Sequence, residues 1–322
     1  MSASGSTAQP LLAVDIGGTK IAAALVSQQG TIISRRLVPT SQDGPDAGIA
    51  QIAKLLLQLL QDNDLAAPDI KAVGVGIPAV LEPQTDQVIW APNLPGWRDV
   101  DLRGGLQEKS GLPVYVEYDG HTAVLGEWWA GAGRGYDSCV DIIIGTGIGG
   151  GLILDGRLIR GHDRLAGAAG WFGMTTDTAD LAQSERQIGH WESHAAGPGI
   201  AARASAGLAQ YPDSLLADLS QEITARAVFD AARRGDDLAG VIVDETADIL
   251  GVGIANIVSL VNPQIVVLGG SIGAQGDLLL PRVREAVNGF AQPISARSVT
   301  IRSSTLATDA GLFGAAYAAL LR

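Results

Sequence analysis

The chain has 322 residues, 47% of them hydrophobic and only 17% charged, which is the balance of a globular protein with ample core rather than of a disordered one. A formal net charge of −12 argues against a nucleic-acid backbone as main partner, since phosphate contacts need Lys and Arg; a nucleotide held by backbone N–H groups and a metal remains open. The single cysteine, Cys139 in the run CVDI, excludes an intramolecular disulfide and a multi-cysteine metal cage, and reads as a small buried residue.

The N-terminal MSASGSTAQP lacks the basic and apolar regions of a signal peptide, and the apolar stretch 249–274 is broken by Asn262-Pro263-Gln264. No membrane partner is expected, and a cytoplasmic protein is the default. Residues 11–16, 20–26 and 31–38 are three β-type runs joined by short turns, an antiparallel meander. Residues 46–61 carry Ile49, Ile52, Leu55, Leu56 and Leu59 at helical spacing, and 71–77 read as a buried central strand closed by Pro78. The segment 79–103 is loop-rich. A helix over 101–110 precedes the strand 113–118, with Asp119 just past its carboxyl end and a helix following at once.

Residues 139–160 repeat the opening form of strand, glycine turn, strand and further strand, roughly 130 residues on, as a duplicated domain would. From 161 to 200 the chain is irregular and 200–260 mostly helical. Residues 265–268 form a strand ending in Gly269-Gly270-Ser271, 279–289 a helix, 298–302 a last strand and 310–321 a terminal helix.

A glycine turn between strands is often only a hairpin. Here Asp15 precedes the first (Gly17, Gly18) and Thr19 and Lys20 follow it, while the second holds Thr146 between Gly145 and Gly147. Glycines let backbone N–H groups approach phosphate, Thr hydroxyls add donors, and a carboxylate holds metal-bound water. The third turn, Gly269-Gly270-Ser271 after a buried strand, is expected to admit the flat face of a base. Asp119 stands at a strand end, where open α/β sheets bind ligands, and a carboxylate there would take a proton from a hydroxyl lying within hydrogen-bond reach; its bland alternative is a helix cap.

Taken together, DIGGTK, GIP, NLPGW, DGHTAVLGEWWAGAGRG, IGTGIGGGLILDGRLIRG, IVVLGG and DAGLFGAA resemble the ROK family of sugar kinases over nearly the whole chain. The resemblance implies two α/β domains of ribonuclease-H type, as in actin-like ATPases, with a cleft between them. Residues 1–121 would form the first, completed by the terminal helix 310–322, and residues 122–309 the second. It implies ATP- and Mg²⁺-dependent phosphorylation of a sugar hydroxyl, with Asp119 as the base. Asp15, Gly17, Gly18, Thr19 and Lys20 fall on the first phosphate motif, Asp15 near Mg²⁺; Gly145, Thr146 and Gly147 fall on the second, and Gly269 and Gly270 on the adenosine side. A homodimer is expected on the same ground. Only about ten residues precede the first strand, so a DNA-binding repressor is not expected.

The acceptor side departs from the family pattern G-E-I-G-H followed by a cysteine-rich zinc loop ending in Glu. Trp171 stands for the Glu that contacts sugar and Met174 for the His, with Gln183, Glu185 and His190 where the three cysteines would be. Met and Gln are poor zinc ligands, so no structural zinc is expected; a mixed site of Glu185, His190 and His194 is the lesser alternative. Tyr118 replaces an Asn, Ala79 a Gly, and Asn93 is retained. The exchange of Glu for Trp should disfavour ordinary glucose and favour a ring stacked on indole, a deoxy or N-substituted sugar, or a cyclitol. Equally, Trp171 reads as core packing in place of the zinc loop. The other tryptophans read as packing. The expected activity is therefore a carbohydrate kinase; the competing reading is a non-catalytic sugar-binding sensor derived from one.

Overall fold

A computed structural model describes residues 8–175, 188–217 and 222–322. The opening apolar runs form the meander: β1 (Leu11–Ile16), β2 (Lys20–Val26) and β3 (Ile32–Pro39) pair antiparallel, Leu12 opposite Leu25 and Ile16 opposite Ile21. The helix Pro45–Asp62 then crosses over to β4 (Val73–Ile77), which runs parallel to β1 with Val14 beside Val75. A parallel neighbour needs such a crossover. Next comes a small antiparallel sheet of β5 (Val80–Leu81), β6 (Val88–Trp90) and β7 (Arg98–Val100), where the sequence shows only loop. Strands of two or three residues are too short to display alternation. The helix Leu102–Ser110 leads to β8 (Val114–Tyr118), parallel to β4, and the sheet order is β3-β2-β1-β4-β8.

The second half repeats this plan. β9 (Cys139–Ile144), β10 (Ile148–Leu154) and β11 (Arg157–Ile159) form the meander; β12 (Ile265–Gly269) and β13 (Thr300–Ser303) add in parallel. The order is β11-β10-β9-β12-β13, strand for strand that of the first sheet. The helix before β13 spans Gly276–Phe290, and a short one, Pro293–Ser298, intervenes.

Two helices lie between the sheets. Ala310–Leu320 buries Leu312, Ala315, Ala316 and Ala319 on β1 and β4, so closely that a Cβ on Gly74 would lie 1.8 Å from the Ala315 carbonyl oxygen. It crosses the helix Asp119–Ala130 backbone to backbone, a Cβ on Gly314 falling 1.5 Å from the Thr122 oxygen and one on Gly126 2.0 Å from that of Ala310. Val124 and Leu125 of that helix pack in turn on Cys139, Ile153, Ile265 and Val267 of the second sheet. The second half is buried around the helix Asp237–Val261, capped by Asp236, whose Oδ1 accepts the Ala239 N–H at 2.8 Å. Among the described residues no helix is long and apolar enough to cross a membrane.

Candidate active site

Asp119 stands where β8 ends and the helix Asp119–Ala130 begins, at the seam between the halves. Its Oδ1 accepts the Gly120 N–H at 2.8 Å, and Thr122 Oγ1 donates to its carbonyl at 2.9 Å. Gly120 is held against the second sheet, since a Cβ there would lie 2.3 Å from the Gly150 oxygen. Asp15, near the end of β1, lies under the first turn of Ala310–Leu320, where a Cβ on Gly311 would come 2.7 Å from its Cγ. Burial, then the Asp119 charge, pushes Asp15 up to about 7 against the pull of Lys20. Burial pushes Asp119 up to about 6, offset in part by the Gly120 N–H and by His121.

The first glycine turn is closed by a Gly17 N–H to Lys20 carbonyl bond of 2.9 Å and braced by Thr40, whose hydroxyl donates to the Gly17 oxygen at 2.7 Å and whose N–H donates to that of Thr19. Gly18 rests on exposed Asn93, leaving 3.0 Å between an added Cβ and the Asn93 oxygen. In the second turn the Gly145 N–H donates to the Gly147 oxygen, and Gly197 donates to the Gly145 oxygen at 2.8 Å. Gly145 and Thr146 border a cavity of about 760 Å³ with Pro198, Phe229, Ser271 and Ile272, a size and an apolar wall that fit a nucleoside. At the third turn the glycines do not border this cavity: Gly270, at φ 76°, lets β12 close on the Ile144 oxygen, and Ser271 faces the space.

Of the residues expected to border an acceptor, Tyr118 is half-buried with its hydroxyl 3.4 Å from a Cβ placed on Gly149; burial and the charges of Asp119 and Glu192 push its phenol up. Trp171 is 58% exposed, so it is not core packing. Trp90 at 46% is likewise not packing, while Trp97 and Trp191 are buried. Ala79 is 3% exposed within the first core, and Met174 packs on the second while its N–H donates to His190 Nδ1 at 3.2 Å. His190 and His194 sit on one short helix with ring centroids 4.4 Å apart. Gln183 and Glu185 lie outside the described residues; among those described, no three His, Cys, Asp or Glu are grouped to hold a metal.

Two side chains central to this geometry were not singled out from sequence. Glu192 accepts the Ile148 N–H at 2.7 Å and braces the second turn; its signal was the Glu that ends the family's zinc-loop pattern. His121, two residues after Asp119, is wholly buried between Glu117 and the Ala166 carbonyl.

Paired sheets of identical strand order, each opening on a glycine turn and meeting at a carboxylate, define the two-lobed fold of the actin-like ATPases. The chain matches the ROK family over residues 11–321, and it belongs to that family. It is 35% identical over 305 residues to a glucokinase of Halalkalibacterium halodurans (94% of this chain, 92% of that one) and 34% identical over 310 residues to one of Thermotoga maritima (95% and 96%). The structure of a ROK family glucokinase from Streptomyces griseus in complex with glucose and AMPPNP superposes with a TM-score of 0.81 at 30% identity, covering 97% of this chain and 100% of that one.

Proposed function

We propose that the protein is a carbohydrate kinase that transfers phosphate from ATP to a hydroxyl of a sugar or sugar-like molecule, with Asp119 as general base. The observation that carries this is the position of Asp119, at the seam of the lobes, facing Asp15 and joined through Gly120 to the strand of the second glycine turn. The glucokinase relatives and the glucose and AMPPNP complex support the sugar and the nucleotide. Asp119, ionised above about pH 6, takes the proton of the attacking hydroxyl; Asn93, Tyr118 and Trp171 border the acceptor, with Ala79 and Met174 backing them. Gly17, Gly18, Thr19 and Lys20 on one side and Gly145, Thr146 and Gly147 on the other hold the phosphates, with the base in the cavity that Ser271 and Ile272 border; Gly269 and Gly270, expected on the adenosine side, shape the turn behind it. Asp15 would hold Mg²⁺ through water, and the ion would supply charge neutralisation on the phosphates.

The lobes are read as residues 1–121 with 310–322, and 122–309; a homodimer is proposed from family resemblance, and a cytoplasmic location is proposed as the default. A sugar-binding sensor without catalysis is disfavoured, because it has no chemical need for Asp119. The test is a coupled ADP-release screen with Mg-ATP against hexoses, amino, N-acetyl and deoxy sugars, ketoses and cyclitols. Acceptor-dependent turnover is expected; silence with a sugar that still raises Tm would establish the sensor.

A further inference from the structure

We propose that His121 is a buried imidazolium that acts as a positioning residue, tying the turn that bears Asp119 to the second lobe. This role presupposes that Asp119 is the general base.

His121 is 0% exposed. Its Nδ1 lies 3.0 Å from Glu117 Oε1 and its Nε2 3.1 Å from the carbonyl oxygen of Ala166. Neither partner has a proton to give. The Glu117 carboxylate takes Arg160 Nε at 2.8 Å on Oε2 and Arg164 Nη2 at 3.3 Å on Oε1. Burial alone would raise its pKa, but the His121 hydrogen bond and the Arg160 charge outweigh it and bring the group down to about 2. A neutral imidazole donates from one nitrogen only; two acceptors therefore require both nitrogens protonated.

The same contacts span the two lobes. Glu117 is on β8 and His121 on the helix that starts at Asp119, whereas Arg160, Arg164 and Ala166 follow β11 of the second sheet. Arg164 also pairs with Asp86 of the first lobe, which Arg103 meets at 3.2 Å. The Ala166–Gly167 loop rests on the second phosphate strand, since a Cβ on Gly167 would lie 2.3 Å from the Gly150 oxygen. One ring thus ties the turn bearing the base to the strand bearing the second glycine turn. The titratable groups facing it are Glu117 and Tyr118 from β8 (the Tyr118 ring edge-on at 5.2 Å), Asp119 from its own helix, and Arg160 and Arg164 acting through Glu117. Those facing Asp119 are His121, Asp15 and Tyr118; only His121 opposes the effect of burial with positive charge.

The first experiment is a long-range ¹H–¹⁵N correlation spectrum of the ¹⁵N-histidine-labelled protein, which has four histidines, across about pH 6 to 8.5. Both ring nitrogens of His121 are expected to carry a proton at about pH 7.5, as its two acceptors demand; a single neutral tautomer there would overturn the proposal. The second is the pH profile of kcat for His121→Gln. Its acid limb should move up by about half to one pH unit, with kcat reduced about two- to threefold near pH 6.5, recovered near pH 8.5, and acceptor KM nearly unchanged. A uniform loss at every pH would mean that the ring only holds structure. Should that variant not fold, the spectrum decides alone. Asp119→Asn separates the two claims. If it is inactive and the His121→Gln limb does not move, positioning fails and the base stands; if it turns over normally, the base reading fails and this role with it.

Discussion

The Glu192 carboxylate accepts the backbone N–H of Ile148 at 2.7 Å and lies against Gly147 and Gly170, where an added Cβ would come 2.7 and 3.0 Å from Oε2. One side chain from the helix His190–Ala195 therefore fixes the second glycine turn and the segment that leads to Trp171. A charge-assisted bond of this kind contributes about 1.5–3 kcal/mol. Glu192→Ala should lower kcat/KM at least about tenfold while Tm falls only a few degrees; Glu192→Gln, which keeps a carbonyl acceptor, should retain most of both. Unchanged kinetics in the Ala variant would remove the brace.

Asp141 stands in the middle of β9 with its Oδ1 buried and unpartnered by the described residues. Burial, then Glu127, raises its carboxyl well above 3.8. The folded chain thus binds this proton more tightly than the unfolded one, so the associated stability is complete below the unfolded value and lost as pH rises through the folded one. Asp141→Asn is neutral throughout. Its Tm should exceed that of the parent by a few degrees at about pH 8, the gap closing towards pH 4. A gap of equal size at both ends would contradict the assignment.

Gly314 and Gly240 are both helical, but only one has neighbours. A Cβ on Gly314 would lie 1.5 Å from the Thr122 oxygen, whereas nothing lies within 4 Å of one on Gly240. Gly314→Ala must force the two central helices apart, costing about 3 kcal/mol or more, and should shift the urea midpoint sharply down. Gly240→Ala should stabilise by about 0.5–1 kcal/mol. Equal midpoints for the two variants would show that the helices do not touch.

Trp171, being 58% exposed, has little packing to lose. Trp171→Ala should leave Tm within about a degree of the parent and raise acceptor KM about tenfold, with the KM for ATP unaltered. A large fall in Tm would restore the packing role that its residue type also allows.

Much of the fold was legible because apolar runs, glycine turns and helical spacing are local signals: both meanders, the crossover helix and the repeat can be read from LLAVDI and CVDIII onward. The small sheet of β5 to β7 was not, its strands being too short to alternate. Asp119 and the first two glycine turns stand out by their place after strands. Glu192 and His121 do not, since their meaning comes from partners 44 and 45 residues distant, Ile148 and Ala166, that only the folded chain brings near. Trp171 was undecidable by type, because indole serves both cores and sugar platforms; its exposure removes the first. Ala79, taken as an acceptor-side position, turns out to be buried in the core of the first lobe.

The central claim is that Asp119 is the base, and the most direct measurement is acceptor-dependent ADP release by the parent and by Asp119→Asn. Turnover of the parent should rise with pH through about 6 as the carboxyl ionises. The variant should lose at least about a thousandfold in kcat while binding nucleotide with a Kd within about twofold of the parent. Turnover by Asp119→Asn at the rate of the parent would contradict the account.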